Sequence, residues 1–595
     1  MNKLIPPFDS LEILRKYKTI KRELINQDGL IDLKIFIASG STTDEIKNTL
    51  EVFLLNIGIR PIFLQGDYGL FYEDLAFKNK TLSDFKPDII YIHTSFKNLK
   101  FSPKYSEEGS NLDVNLKREF KRFEDIWNFV SQSYECIIIQ NNFDLPPHRT
   151  LGNLDSTHPE GLVNFINRLN IRFSEYANKN KTLFINDINY LSSFHGIENW
   201  FSMTEWYRSR HSVSLKYIPY LSYSVCNIIA ALFGKSKKAL VLDLDNTLWG
   251  GVIGDDGQSK IKIGNDSPTS EAYLDFQKYI KELHSRGVML SIASKNTFKN
   301  ALEGLNHPEG KLKEKDFISI KANWSDKAQN IEEISTELNI HNDALVFIDD
   351  NPAERDLVEQ YLPDVNVLKM TSNITDYIGI LDRSGFFEAA IISKDDVNRN
   401  ATFEANKQRE SFEKKAVNYH DYLISLEMNS TIKESAGEQL ERIAQLINKT
   451  NQFNLTTYRH SSSEVLKFMK SDKTFVLYGD LNDRFGKNGI TSVMVCKILE
   501  NEIEIYIWVM SCRIFKREME LAMFDKLVDI AKRTKKDFIK GIYIPSAKNK
   551  FVADLYDSLG FKKIKSPRDK QNESHYTIEI KDINPLNRSI KVINE

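Results

Sequence analysis

The chain has 595 residues, 41% of them hydrophobic, and a formal net charge of −2 from 80 basic and 82 acidic side chains. At about 100–200 residues per domain, this length predicts three or four domains. Charges of both signs are interspersed, which excludes the basic stripe of a nucleic-acid-binding surface. Cys136, Cys226, Cys496 and Cys512 stand far apart and form no CxxC pair. A disulfide framework or zinc site is therefore not expected, and a reducing cytoplasm is the expected compartment. The start, MNKLIPPFDS, lacks the apolar core of a signal peptide. The most apolar stretch, 217–234, carries Pro219 and several Ser, Tyr and Asn residues. It reads as a buried or amphipathic helix rather than a membrane span.

In chain order, KIFIASGS (34–41) is strand-like, and TTDEIKNTLEVFLLNIG (42–58) is a helix with Thr42 or Thr43 as N-cap and Gly58 as its stop. IRPIFLQG, PDIIYIHTS, CIIIQNN and TLFINDI are strand-like, with helical stretches near 115–133 and 158–180. Such alternation predicts a parallel sheet covered on both faces, here assigned to residues 1–235. A second alternation fills 236–385: strand 239–245, helix 271–287, strand 288–294, a helix DKAQNIEEISTELNI, strand 344–350 and a further strand at 365–370. On its first helix Tyr273, Phe276, Ile280 and Leu283 share one face. Residues 386–430 are polar and helical in pattern and read as a connector. A third globular part, 431–595, has a helix at 437–449, strands SVMVCKIL and IEIYIWVM, a helix near 517–533, a strand GIYIPS and a helix ending at Gly560.

Four features of the middle part fall at strand ends or helix starts. Asp243 and Asp245 end one strand with Thr247 just beyond; Ser294 ends the next; Lys327 opens a helix; Asp349 and Asp350 end a third strand. In an open parallel sheet the strand C-termini form the ligand crevice, so all four converge. A phosphate repels a carboxylate nucleophile unless a hard cation intervenes, and Mg²⁺ prefers carboxylate oxygens and water. Asp243 would attack phosphorus to give an aspartyl phosphate, and Asp245 would protonate the leaving oxygen and then activate water. Ser294 and Lys327 would hold the phosphoryl oxygens. Asp350 and Asp349 would complete a metal site with Asp243 and Asp245. Only 50 residues separate Asp243 from Ser294 and 21 separate Lys327 from Asp349, too few for a large cap domain. WGGVIGDDGQ (249–258) is expected to form a small flap.

The runs VLDLDNTLWGGVIGDDG, IASKN, WSDKAQNI and VFIDDNPAER resemble the four motifs of the haloacid dehalogenase (HAD) superfamily, and more narrowly its FkbH-like branch. The segments GNLDSTHPEGLVNFINRLN, TNQFNLTT, DRFGKNG and MSCRIF extend the resemblance over the whole chain. The resemblance implies an α/β multidomain protein: an SGNH/flavodoxin-like parallel sheet, a capless HAD Rossmann-like domain and a GNAT-like α+β domain. It adds Thr247 and Lys295 to the phosphate-binding set. It implies capture of a glyceryl unit from 1,3-bisphosphoglycerate, loss of phosphate and transfer to an acyl carrier protein, in polyketide, peptide or surface-glycan assembly. Two other readings are a HAD phosphatase with an accessory acyltransferase acting on a sugar or amine, and a non-catalytic scaffold.

In the third part, SCRIFKRE resembles the pantetheine-pyrophosphate loop of GNAT acyltransferases, where amides at a helix start receive phosphate. It lacks the tight glycine pair and has Lys516 and Arg517 instead, so a carrier protein's phosphopantetheine arm is favoured over acetyl-CoA. NKFVADLYDSLGFKK resembles the final helix-and-strand motif. The resemblance places Asn451, Gln452, Asn454, Arg484, Arg513, Lys516, Arg517, Asn549 and Tyr556 at the acyl or pantetheine site; local turn and cap bonding is the other reading of the polar segments. Cys512 beside Arg513, Lys516 and Arg517 is the candidate thioester nucleophile, with a small buried hydrophobe as its alternative. In the first part, IASGSTTD resembles the first block of SGNH hydrolases, with Ser41 at the nucleophile position. Asn141 or Asn142 is the candidate oxyanion donor and His211 the late histidine, but Arg208 stands where an aspartate is required. A docking or scaffolding role is therefore expected for that domain.

Overall fold

The computed structural model of the protein describes residues 4–27, 29–105, 111–134, 136–392, 397, 405, 408–409, 412–413, 418–460, 462–546, 548–565, 572–581 and 583–593. The chain divides into two compact units, Met1–Ala230 with Ser461–Glu464, and Ala231–His460 with Val465–Glu595.

The first unit is built on five strands: β1 (Ile31–Ser39), β2 (Ile59–Gln65), β3 (Ile89–His93), β4 (Ile137–Asn141) and β5 (Leu183–Asn186). They lie in the order β2-β1-β3-β4-β5, every pair parallel. Strands β1 and β3 are almost continuously buried, as sheets covered on both faces must be. One face packs on helices Leu112–Ser133 and Leu162–Lys179 through Phe123, Trp127, Phe165 and Phe173. The expected N-cap Thr43 makes no capping bond; its hydroxyl pairs with Ser39 instead.

The second unit holds two sheets. The middle one contains β6 (Ala239–Leu242), β7 (Met289–Lys295), β8 (Phe317–Asn323), β9 (Leu345–Ile348) and β10 (Asn366–Val367) in the order β10-β9-β6-β7-β8, all parallel. Helix Pro268–Ser285 starts with Ser267 as cap and proline in its first turn, and buries Tyr273, Phe276, Ile280 and Leu283. Between β6 and β7 lie a bridge pairing Gly250 with Lys262, a short helix Ile253–Asp256 and that long helix. Between helix Lys327–Leu338 and β9 there is one short turn, Asn342–Ala344. No inserted cap domain interrupts either stretch.

The other sheet is mixed. It contains β11 (Asn429–Glu434), β13 (Thr474–Asp483), β14 (Gly486–Ile498), β15 (Glu502–Met510), β16 (Phe538–Tyr543), β17 (Lys562–Ile564), β18 (Ser574–Glu579) and β19 (Lys591–Ile593), with β12 (Phe453–Asn454) paired to β15. β13, β14 and β15 run antiparallel, while β15 and β16 run parallel over Glu502–Ile505 before parting. Helix Met519–Arg533 fills one face through Met519, Met523, Phe524 and Leu527. The expected connector at 386–430 falls partly outside the described residues; within it, Tyr419–Ser425 is helical and Asn429 already opens β11. No helix among the described residues is long and apolar enough to cross a membrane.

Candidate functional site

Asp243 follows β6 directly, and its amide donates to the Ile348 carbonyl of β9 at 3.0 Å. That bond sets the first aspartate beside the end of the strand that carries Asp349 and Asp350. Carboxylate oxygens of Asp243, Asp349 and Asp350 lie within 4.8 Å of one another. Lys327, 3% exposed at the start of its helix, reaches into the group: its Nζ lies 3.0 Å from Asp243 Oδ1 and 2.5 Å from Asp349 Oδ2. Burial works against the Lys327 ammonium, but Asp243 and Asp349 more than offset it and raise its pKa. Burial, then the charge on Asp243, pushes both the Asp349 and the Asp350 carboxyl upward. Three carboxylates sharing one ammonium leave excess negative charge in a buried space. That is an all-oxygen donor set suited to a hard divalent cation.

Asp245 departs from its expected place in the metal set. Its Oδ1 accepts from Trp249 Nε1 at 2.9 Å and from the Ile253 amide at 3.1 Å, and its Oδ2 accepts from Asn296 Nδ2 at 2.9 Å. Both oxygens are thus committed to neutral donors of the flap and the β7 loop. Burial raises the Asp245 pKa despite these bonds. The chain turns just beyond Asp245 at Asn246, whose φ of +54° is a left-handed conformation that asparagine tolerates. Trp249 is fully buried, and its Cη2 and Cζ2 atoms lie against Gly304, where a Cβ would clash.

Ser294, 2% exposed, ends β7, and Thr247 is buried with its hydroxyl unpaired among the described residues. Lys295, expected to bind phosphate, is instead paired with Glu354 at 2.7 Å. Sequence reasoning missed Asn296, Trp249 and Arg355. The Arg355 guanidinium donates to the carbonyls of Asp349, at 2.6 Å, and Asp350, at 2.9 Å, and so locks the loop that bears them. Its signal was visible only as the arginine of the run NPAER.

Comparison with known proteins agrees with this geometry. Residues 51–230 match the family described as FkbH, N-terminal domain. The N-terminal part of the protein BF1531 from Bacteroides fragilis, which contains a phosphatase domain and was crystallised with Mg, is 28% identical; it covers 63% of this chain and 99% of its own length with a TM-score of 0.59. The chain is FkbH-like, with a HAD-type domain. The ribosomal-protein-S18-alanine N-acetyltransferase from Escherichia coli is 11% identical and covers 27% of this chain and 99% of its own, with a TM-score of 0.21. No curated protein matches significantly.

The FkbH-like chain keeps few of its expected acyl-site residues open. Asn454 caps its own turn, accepting from the amides of Thr456 and Thr457, and Asn549 donates to the Asn454 carbonyl at 2.8 Å. Asn451 holds Arg459 through Nη2 at 2.6 Å, and Gln452 keeps a buried, unpaired Oε1 among the described residues. Arg484 sits in the tight β13–β14 turn with its guanidinium over Phe412 and Phe485. Arg517 is spent on the buried Asp483, which also takes Arg409. Tyr556 is a core side chain, fully buried against Gly541 and stacked on Tyr576. Cys512 opens a short turn and is partly exposed; Cys136, Cys226 and Cys496 are buried, and burial pushes their thiols up. Arg513 follows it, with its carbonyl held by Arg517. Lys516, one of the two residues standing in place of the glycine pair, has φ +63°, and Glu518 has φ +60°, both left-handed. Glu518 and Glu520 bring two carboxylates to the start of helix Met519–Arg533, which opposes a diphosphate there.

In the first unit the structure pairs Ser41 with a different histidine from the one expected. Ser41 Oγ lies 2.8 Å from His93 Nε2 and 2.8 Å from Ser212 Oγ, all three buried. His211 instead bonds Glu45 through Nε2 at 2.7 Å. Asn142 is spent on Asp187. Asn141 donates from Nδ2 to the Thr94 carbonyl and, at 3.1 Å, faces His93 Nδ1; its Oδ1 accepts from Tyr91 and Asn186. The carbonyl of Thr94 can only accept, so the Asn141 amide is oriented and Nδ1 of His93 is an acceptor. The imidazole proton then sits on Nε2 and points at Ser41. Burial, with His211 nearby, holds the His93 pKa down to about 3. An imidazole wired this way donates to the serine and cannot take its proton.

Proposed function

We propose that this FkbH-like chain is a Mg²⁺-dependent phosphatase of the HAD type, coupled to acyl transfer in the same polypeptide. The observation that carries the reading is the convergence of Asp243, Lys327, Asp349 and Asp350 at the C-terminal ends of the strands, with Asp245 held apart by neutral donors. Asp243 attacks the phosphorus of a phosphate monoester, and the P–O bond to the leaving alcohol breaks. Asp245, whose pKa burial raises, gives a proton to the leaving oxygen; as the carboxylate it then takes a proton from the water that hydrolyses the aspartyl phosphate. Lys327 and the Ser294 and Thr247 hydroxyls hold the equatorial oxygens. Mg²⁺ bound by Asp243, Asp349 and Asp350 would offset the charge of phosphate and nucleophile together.

The finer reading follows the FkbH-like resemblance: a glyceryl unit from 1,3-bisphosphoglycerate is captured, dephosphorylated and passed to an acyl carrier protein. Two features support it. The phosphatase site has no cap domain, so a tethered substrate can reach it. Cys512 is the partly exposed cysteine, beside a turn in the acyltransferase-like part. The carrier's phosphopantetheine arm is a better fit than acetyl-CoA, because Glu518 and Glu520 repel a diphosphate. The first unit serves as a docking or scaffolding domain. The test is intact-mass measurement of chain and carrier after incubation with Mg²⁺ and 1,3-bisphosphoglycerate. Wild type should yield a carrier heavier by an unphosphorylated glyceryl group, and Asp243→Asn a carrier or enzyme that retains the phosphate. Turnover restricted to small free esters, with no carrier adduct, would exclude the carrier reading and leave the phosphatase.

A further inference from the structure

A group of basic side chains in the second unit includes Arg459 and Lys548, which lie on loops to which the acyl site was assigned. Lys235 and Lys237 precede β6, Arg459 follows β12, and Lys548 follows β16. One carboxylate, Asp343, stands among them. Lys548 Nζ reaches Asp343 Oδ2 at 2.6 Å, and Lys237 Nζ donates to the Asp343 carbonyl at 2.9 Å. Arg459 is fixed by the Ile447 carbonyl and by Asn451, but its Nε is buried with no acceptor among the described residues. Lys235 makes no hydrogen bond or ion pair there either, although it is half-buried. Four cations thus stand around Asp343, and Lys235 and the Arg459 Nε have no hydrogen-bond partner among the described residues.

We infer that Lys235, Arg459 and Lys548 form a binding site for a phosphate monoester, separate from the Asp243 centre. Burial first, then Lys548 and Arg459, holds the Lys235 ammonium down to about 8, and burial holds Lys237 down to about 8 as well. For Lys235 the repulsion from Lys548 and Arg459 adds to burial, and a dianion would relieve it. Guanidinium and ammonium donors converging from three loops are the usual means of holding phosphate oxygens. The location gives the site a purpose. Arg459 is braced by Asn451, and Lys548 adjoins Asn549, which is bonded to Asn454. A phosphorylated acyl unit held by its phosphate here would present its carbonyl to the acyl-transfer part before the phosphate is removed. This last step rests on the carrier-loading reading; the anion site does not.

The test is equilibrium dialysis of the full chain with labelled inorganic phosphate in excess EDTA. Without a cation, Asp243, Asp349 and Asp350 repel phosphate from their own centre, so binding in EDTA reports the second site. One phosphate per chain is expected for wild type, and affinity lower by about a hundredfold for Lys235→Gln with Arg459→Gln, at about tenfold for each charge-assisted contact. Phosphatase turnover of p-nitrophenyl phosphate with Mg²⁺ should be retained by that variant, which also shows that it folds. If the double variant does not fold, Lys548→Gln, at a more exposed position, should alone weaken binding about tenfold. Absence of phosphate binding in EDTA, or binding unchanged by these substitutions, would overturn the inference. Loss of p-nitrophenyl phosphate turnover in wild type would instead count against the phosphatase reading and leave this site standing.

Discussion

Gly304→Ala is the substitution that tests whether the flap positions the proposed acid. A Cβ at Gly304 would lie 2.5 Å from Trp249 Cη2, 2.7 Å from Cζ2 and 3.0 Å from Ile253 Cδ1. Carbon atoms pack at about 3.5–4.0 Å, so the indole must retreat by about 1 Å. Trp249 Nε1 now donates to Asp245 at 2.9 Å, and the Ile253 amide of the same flap donates at 3.1 Å. A retreat of that size stretches the indole bond beyond hydrogen-bonding range and lets the carboxyl swing away from the leaving oxygen. Misplacement by about 1 Å costs roughly a hundredfold in rate. The fold should survive, because alanine favours helix Phe298–Leu305 by about 0.5–1 kcal/mol over glycine, against about 1–3 kcal/mol for the overpacking. The assay is kcat with Mg²⁺ for two substrates. An alkyl phosphate, whose alkoxide needs the proton, should lose about a hundredfold; p-nitrophenyl phosphate, whose phenolate leaves unaided, should lose far less. Equal losses on both substrates, or kcat within twofold of wild type on both, would refute the role given to Trp249 and Asp245.

Asp350→Asn removes one of three carboxylates from the cation site and should raise the Mg²⁺ concentration for half-maximal turnover by about tenfold or more, read from a metal titration after EDTA treatment. Cys512→Ala should leave turnover of small phosphate esters within about twofold while abolishing any glyceryl adduct on the enzyme by intact mass; an adduct that persists would move the thioester elsewhere. Burial pushes the Asp144 carboxyl up from 3.8 to about 7, and its Oδ1 accepts from the Phe96 amide. The folded state therefore prefers the protonated acid, and stability falls as pH rises from about 4 to about 7, by on the order of 4 kcal/mol. Asp144→Asn should flatten that slope and raise Tm at pH 8 relative to wild type; parallel Tm–pH curves for the two proteins would show the slope to arise elsewhere.

Strand ends and buried runs were legible because burial on both faces of a parallel sheet leaves continuous apolar stretches followed by polar residues. ALVLDLD and ALVFIDD announce both the sheet and the place where Asp243, Asp349 and Asp350 meet. The contacts that assign roles were not legible. Asp243 and Asp245 are two positions apart in one motif, yet Asp243 faces Lys327 while Asp245 is held by Trp249 and Asn296, donors that lie four and 51 positions further along the chain. Lys295 adjoins the expected phosphate-binding serine, but its long side chain finds Glu354 from another helix. In the third part, polar residues at 451–454 and 549 looked like ligand contacts. Asn454 and Asn549 instead satisfy backbone groups where β12 joins β15, a demand that no local pattern announces. Asp483, at the start of the run DRFGKNG, has its side chain buried by two arginines, one from 74 positions earlier in the chain.

Ser41 shows why a nucleophile's position does not make a nucleophile. Sequence placed it after the first strand of a flavodoxin-like sheet, and the structure supplies a histidine at 2.8 Å. What decides its chemistry is the next neighbour out. An aspartate at His93 Nδ1 would draw the imidazole proton to that side and free Nε2 to accept from the serine. Asn141 stands there and donates, because the Thr94 carbonyl leaves its amide no other orientation. The same three buried groups then form a closed hydrogen-bond network with Ser212 that ties β1, β3 and the segment near Ser212 together. Replacing Asn141 with aspartate would reverse the tautomer only by burying a charge beside Tyr91 and Asn186, at a cost of several kcal/mol. The wiring that makes this cluster a poor catalyst is the wiring that makes it a stable strut, consistent with a docking role for the first unit.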